Sequence, residues 1–171
     1  MNKKIAFGAV FSALCIMLLA IGSLITTLDI SLAVYAGLII LVALIEYKDK
    51  TAWLMYFTVS VLSLIILPEK SSALMFALFC GFYPMMKKYF EALHYVTAWV
   101  VKISFFNTTL LIFILAAKHL FMLNIEAAEF EIVFIALANV CFVLYDIVMT
   151  RLIVFYVLKI RKRLGFKNEL I

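Results

Sequence analysis

The stretch Leu67–Lys88, LPEKSSALMFALFCGFYPMMKK, contains one complete helical crossing together with both of its borders. Pro68, Glu69 and Lys70 form a tight polar turn. Ser71 and Ser72 follow at the position of a helix cap, where a serine hydroxyl accepts from the free N–H groups of the first turn. Ala73–Met86 is then apolar for fourteen residues, broken by Gly81 and Pro84. Pro84 has no N–H for the helical ladder, so the helix is expected to kink or stop near Tyr83. Lys87 and Lys88 close the segment with positive charge.

The same scheme repeats on either side. After Asn2, Lys3 and Lys4, a first apolar helix runs from about Ile5 to Ile25, and Thr26, Thr27 and Asp29 make a turn. Ala20-Ile21-Gly22 resembles a signal-peptide cleavage site, but the apolar run continues past it to Ile25. A second helix is expected over about Ile30–Ile45, a polar turn at Glu46–Lys50, and a third helix over Thr51–Leu67. Beyond Lys88, Tyr89–Val101 mixes aromatic residues with Glu91 and His94. That mixture suggests an amphipathic approach along the interface, with Tyr95 and Trp99 at the headgroup level. A fifth helix is expected over about Trp99–Ala117. The loop Lys118–Glu131 carries Glu126, Glu129 and Glu131, and a sixth helix covers about Ile132–Leu158 before a basic tail, Lys159–Lys167.

Composition agrees with this pattern. The chain of 171 residues is 68% hydrophobic and 15% charged, and its mean hydropathy is +1.19. A water-soluble domain carries about a quarter charged residues. Apolar runs separated by short polar turns are the mark of helices crossing a bilayer core about 30 Å thick. The expected fold is therefore all-α: one transmembrane domain, a compact bundle of six helices. The net charge of +5 does not point to nucleic acid, because the basic residues gather at helix ends. With six crossings, one face holds Lys3, Lys4, Lys48, Lys50, Lys87, Lys88, Lys159, Arg161, Lys162, Arg163 and Lys167, and the other holds Lys70 and Lys118. The positive-inside rule then places both termini in the cytoplasm.

Signs of catalysis are missing from the sequence. It has no phosphate-cradling Gly-rich loop of the P-loop type, and His94 and His119 lack the spacing of a zinc pair. Cys15, Cys80 and Cys141 are scattered within apolar runs and read as packing residues. No metal or cofactor is expected, and the chain is not expected to be an enzyme. The polar residues inside helices carry more information, since an ionisable group at membrane depth costs roughly 2.5–3.5 kcal/mol on insertion scales. The sixth helix carries Asn139, Asp146 and Arg151, with Asn139 and Asp146 two turns apart on one face. The fifth carries Lys102 and Asn107. Lys102 or Arg151 paired with Asp146 would neutralise the carboxylate, either as polar glue between helices or as part of a solute path. On the face opposite the basic clusters, Thr27, Asp29, Glu69 and Lys70 are either ordinary solvated turn residues or the rim of an outward-facing site. Ala9 and Ala13 form a small-xxx-small pair on the first helix, which allows close approach of another helix.

These features resemble the substrate-binding S components of energy-coupling factor transporters, compact six-helix bacterial membrane proteins that capture micronutrients. The resemblance covers most of the chain. It rests on length, on six short helices with both ends inside, and on AVFSA at Ala9–Ala13. It also rests on the central Leu67–Lys88 stretch, KISFFN at Lys102–Asn107 and YDIVMTRL at Tyr145–Leu152. It implies a substrate-capture subunit in the bacterial cell membrane, a transmembrane scaffold subunit contacted through Ala9 and Ala13, and two ATPase subunits that supply energy. It further implies a small-molecule site under the outer loops involving Thr27, Asp29, Glu69, Lys70 and Asn139, with Asn107 added at similar depth. Two other classes share the size and helix count: a structural membrane protein of the cell-shape machinery, and a self-sufficient carrier using Lys102, Asp146 and Arg151.

Overall fold

The computed structural model describes residues 2–119 and 132–160. Every regular element among them is helical. The expected loop with Glu126, Glu129 and Glu131, and the basic tail beyond Ile160, lie outside the described residues. Among the described residues four helices are long and apolar enough to cross a membrane, over Ile5–Leu24, Asp29–Tyr47, Tyr95–Ala116 and Ile135–Lys159, and a shorter apolar helix covers Lys50–Ile66. The chain divides into two compact units, Met1–Ile125 and Glu126–Ile171.

In the first unit, α1 (Asn2–Leu24) is joined through a short 3-10 turn, Thr26–Leu28, to α2 (Asp29–Ile66). Helical backbone continues through Glu46–Lys50, where a turn between two helices was expected. No glycine or proline interrupts Glu46-Tyr47-Lys48-Asp49-Lys50, so no residue type there excludes helical backbone. The helix nevertheless folds back on itself. Straight, its 38 residues would measure about 57 Å. Yet Ser71, five residues past Ile66 and so within about 18 Å of it, donates a hydrogen bond to Asp29 at the other end. Gly37 and Tyr56, about 28 Å apart on a straight rod, both meet the segment Phe76–Cys80. The two expected helices are therefore the antiparallel arms of α2, bent where charged residues are concentrated.

Small residues set the seam between α1 and the first arm. Cys15 donates to the Ala36 carbonyl at 3.6 Å, and Ala33, Ala36 and Ala43 are fully buried. A Cβ on Gly22 would stand 3.5 Å from Leu32, and Phe7 lies 4.6 Å from the Tyr47 ring.

The stretch Leu67–Lys88 forms α3 (Ser71–Met75), a π-helical turn (Phe76–Cys80) and α4 (Tyr83–Glu91). The expected break is present at Gly81 and Phe82. Pro84 lies in the first turn of α4, where its missing N–H costs nothing. The serines do not cap: α3 begins without a side-chain cap, because both hydroxyls are used between helices. A short turn leads to α5 (Tyr95–His119), which starts four residues before the expected Trp99. Tyr89–Val101 is thus no single interfacial approach but the end of α4, a turn and the first turns of α5. An aromatic run ties these parts together. Trp53 and Tyr56 on α2 lie 5.9 and 6.0 Å from Phe82, and Phe82 stacks on Phe105 of α5 at 5.8 Å.

The second unit is described over α6 (Ile132–Phe155) and a closing π-helical turn, Tyr156–Ile160. Among its described residues Phe142, Asp146 and Met149 are buried and share one face.

Candidate functional site

One polar group lies at the Ser71 end of the first unit. Asp29 opens α2, where a carboxylate complements the positive end of the helix dipole. Its Oδ2 accepts from the Ser71 hydroxyl, and Glu69 Oε1 lies 3.4 Å from the same hydroxyl. A hydroxyl has one proton to give, and Asp29 is the nearer acceptor. Asp29 Oδ1 is buried without a hydrogen-bond partner. Lys70 Nζ turns back to the carbonyls of Ile65 and Leu67, closing the end of α2 as basic residues often do at helix C-termini. Ser72 donates to the Leu19 carbonyl at 3.3 Å, which fastens α3 to α1. The structure thus gathers Asp29, Glu69 and Lys70 from two separate turns, while Thr27 is exposed in the 3-10 turn.

A charged clasp occupies the Glu91 end. Glu91 Oε1 lies 3.0 Å from Lys87 Nζ and 3.6 Å from Lys102 Nζ, joining α4 to α5. The Lys87 and Lys102 side chains are 2% and 6% exposed, whereas Glu91 is 43% exposed. Each ammonium also sits against a ring, Lys87 at 5.9 Å from Tyr83 and Lys102 at 5.1 Å from Trp99. Such contacts favour a cation most where water is excluded. Lys102 was picked out by its position within a helix. In sequence Lys87 and Glu91 read as a helix-end anchor and an interfacial residue, and their i, i+4 spacing on α4 is the signal that joins them.

Between these ends lies the break in Leu67–Lys88. In the π-helical turn the Gly81 N–H reaches the Phe76 carbonyl at 2.8 Å, so it does not serve Ala77 as an α-helix would require. The Ala77 carbonyl takes the Tyr56 hydroxyl instead, at 2.7 Å. The Cys80 carbonyl would be served by residue 84, which is proline. It faces Gly37, where a Cβ would stand 2.2 Å from the carbonyl oxygen, so only glycine fits. Both carbonyls released by the break are therefore turned onto α2, one to each arm. Sequence reading located the break but missed Tyr56 and Gly37, which lie about 20 residues or more from the carbonyls they meet.

The remaining candidates are more ordinary. Asn107 donates to the Ile103 carbonyl and Asn139 to the Ile135 carbonyl, each at 2.9 Å and each within its own helix. Ala9 and Ala13 are exposed on α1. In the second unit Asp146 is 3% exposed and Arg151 is exposed, as expected of residues five apart on a helix. An apolar crevice of about 20 Å³ lies between the π-helical turn and α5, lined by Leu78, Phe79, Phe106 and Thr109 among others. Among the described residues no group of His, Cys, Asp and Glu is arranged to hold a metal. No protein-family model, curated protein or solved structure matches the chain.

Proposed function

We propose that this chain is the membrane-embedded substrate-capture subunit of an ATP-driven micronutrient importer in the bacterial cell membrane. It would cross six times with both termini in the cytoplasm, and a separate scaffold subunit and two ATPase subunits would energise it. The observation that carries the reading is the polar group at the Ser71 end. Asp29, Glu69 and Ser71 come together from two distant turns, and Asp29 retains a buried oxygen with no partner. A carboxylate oxygen in that state is suited to an arriving donor, since a buried acceptor left unmade is costly. Ala9 and Ala13 on an exposed face of α1 support the second half of the reading, a helix that docks against another subunit.

Co-purification tests the proposal. The tagged full chain, extracted from its host membrane in mild detergent, should bring down a transmembrane scaffold and two ATPases. Replacing Ala9 and Ala13 together by Trp should abolish that recovery while the isolated protein still folds. Recovery of cell-shape proteins without any ATPase would overturn the importer reading in favour of a structural membrane protein.

A further inference from the structure

We propose that the π-helical turn Phe76–Cys80 is a register switch, held in its wide form by the Tyr56 hydroxyl. The turn contains one residue more than an α-helical path needs, and its cost is the Ala77 carbonyl that Gly81 no longer serves. Tyr56 supplies the missing donor at 2.7 Å from the second arm of α2. An alternative arrangement is built into the same backbone. If Tyr56 lets go, the Gly81 N–H can return to Ala77 and the turn closes to an α-helix.

Closing has consequences at both ends. Dropping one residue from the turn rotates everything after it by about 100° relative to everything before it. Ser71 lies before the turn and holds Asp29; Glu91 lies after it and holds Lys102. Whatever part of that rotation the break at Gly81 and Phe82 does not take up must strain one of the two ties, so the turn couples the polar group at one end to the charged clasp at the other. Gly81 is the pivot. A Cβ there would stand 2.8 Å from the Phe76 ring and 2.9 Å from the Tyr56 ring, so the rings that guard the turn close directly over it. Downstream, Pro84 already lacks an N–H, so the rotation breaks no further helical bond at Cys80. The inference stands independently of the importer reading, because it needs only the geometry of the first unit.

The native cysteines report on the switch. Cys80 is fully buried beside Gly37 in the wide form and turns away from it when the turn closes. Cys15 is equally buried but lies on α1, which the rotation does not involve. In the detergent-solubilised full chain, N-ethylmaleimide labelling of each cysteine is followed by peptide mass spectrometry for wild type and Tyr56→Phe. Losing the one hydroxyl that satisfies Ala77 should raise the Cys80 labelling rate about tenfold. The Cys15 rate should stay within about twofold, below the change expected from loss of a hydrogen bond. Unchanged Cys80 labelling would overturn the proposal, because Tyr56 would then not hold the turn. Equal acceleration of Cys15 and Cys80 would also overturn it, since that marks general loosening and not a local switch.

Discussion

The two ends of the first unit solve the same problem with different chemistry. At the Ser71 end a neutral hydroxyl links α3 to a carboxylate on α2, and the nearby lysine is used up on main-chain carbonyls. At the Glu91 end two buried ammonium groups share one half-exposed carboxylate. The first arrangement leaves a buried acceptor, Asp29 Oδ1, unused. The second takes charges out of water and holds them against aromatic rings, which is worthwhile only if the helices there are meant to stay together. Under the proposed importer reading, the first end is the one made for exchange and the second the one made for anchorage.

The sharpest way to break this comparison is to ask which end faces the cell exterior. Single cysteines introduced at Asp29 or Glu69, in a background lacking the native three, should react with membrane-impermeant maleimide in intact cells. Cysteines near Lys4, Asp49 and Lys87 should react only after permeabilisation. The contrast is all-or-none, and labelling at Lys87 from outside would invert the assignment of the ends.

Next in size is Asp146, a buried charge on the second unit. A buried carboxylate is kept by the interactions it makes, and an amide in its place makes weaker ones. Asp146→Asn is therefore expected to cost about 3 kcal/mol in detergent unfolding. Arg151→Gln, at an exposed position, should stay within about 0.5 kcal/mol.

The clasp itself should give a smaller effect, because water reaches Glu91. Glu91→Gln is expected to destabilise by about 1–2 kcal/mol. Adding Lys102→Met should recover part of that loss, since it removes a buried cation along with its weakened partner. Full additivity of the two changes in a double-mutant cycle would dissolve the clasp.

The smallest effect belongs to the exchange end. Ser71→Ala should cost about 1 kcal/mol, the net worth of one typical hydrogen bond. If Ser71→Ala instead costs more than Glu91→Gln, the exchange end is the true anchor and the comparison is reversed.

Much of the helical plan was legible from sequence. Apolar run length and the spacing of polar turns marked the helical segments, because both depend only on neighbours along the chain. Pro84 located its break for the same reason: a missing N–H is a local property. The arms of α2 and the place where they reverse were also legible, since Glu46–Lys50 reads as a turn by charge; that its backbone stays helical was not, because the segment holds no glycine or proline to end a helix. Ser71 shows the limit most clearly. As a residue before an apolar run it reads as a cap, and only Asp29, 42 positions away, turns it into a tie between helices.

What the sequence alone determined is an all-helical chain with segments apolar enough for a membrane, a break before Pro84, and basic residues grouped at segment ends. These follow from propensity, periodicity and charge, which are written locally. The tertiary structure decided which partner each polar group takes: Tyr56 for the Ala77 carbonyl, Gly37 for the Cys80 carbonyl, Glu91 for both Lys87 and Lys102. A hydrogen bond or ion pair acts over about 3–4 Å, whatever the separation in sequence. Its partner is therefore chosen only when folding brings distant segments side by side.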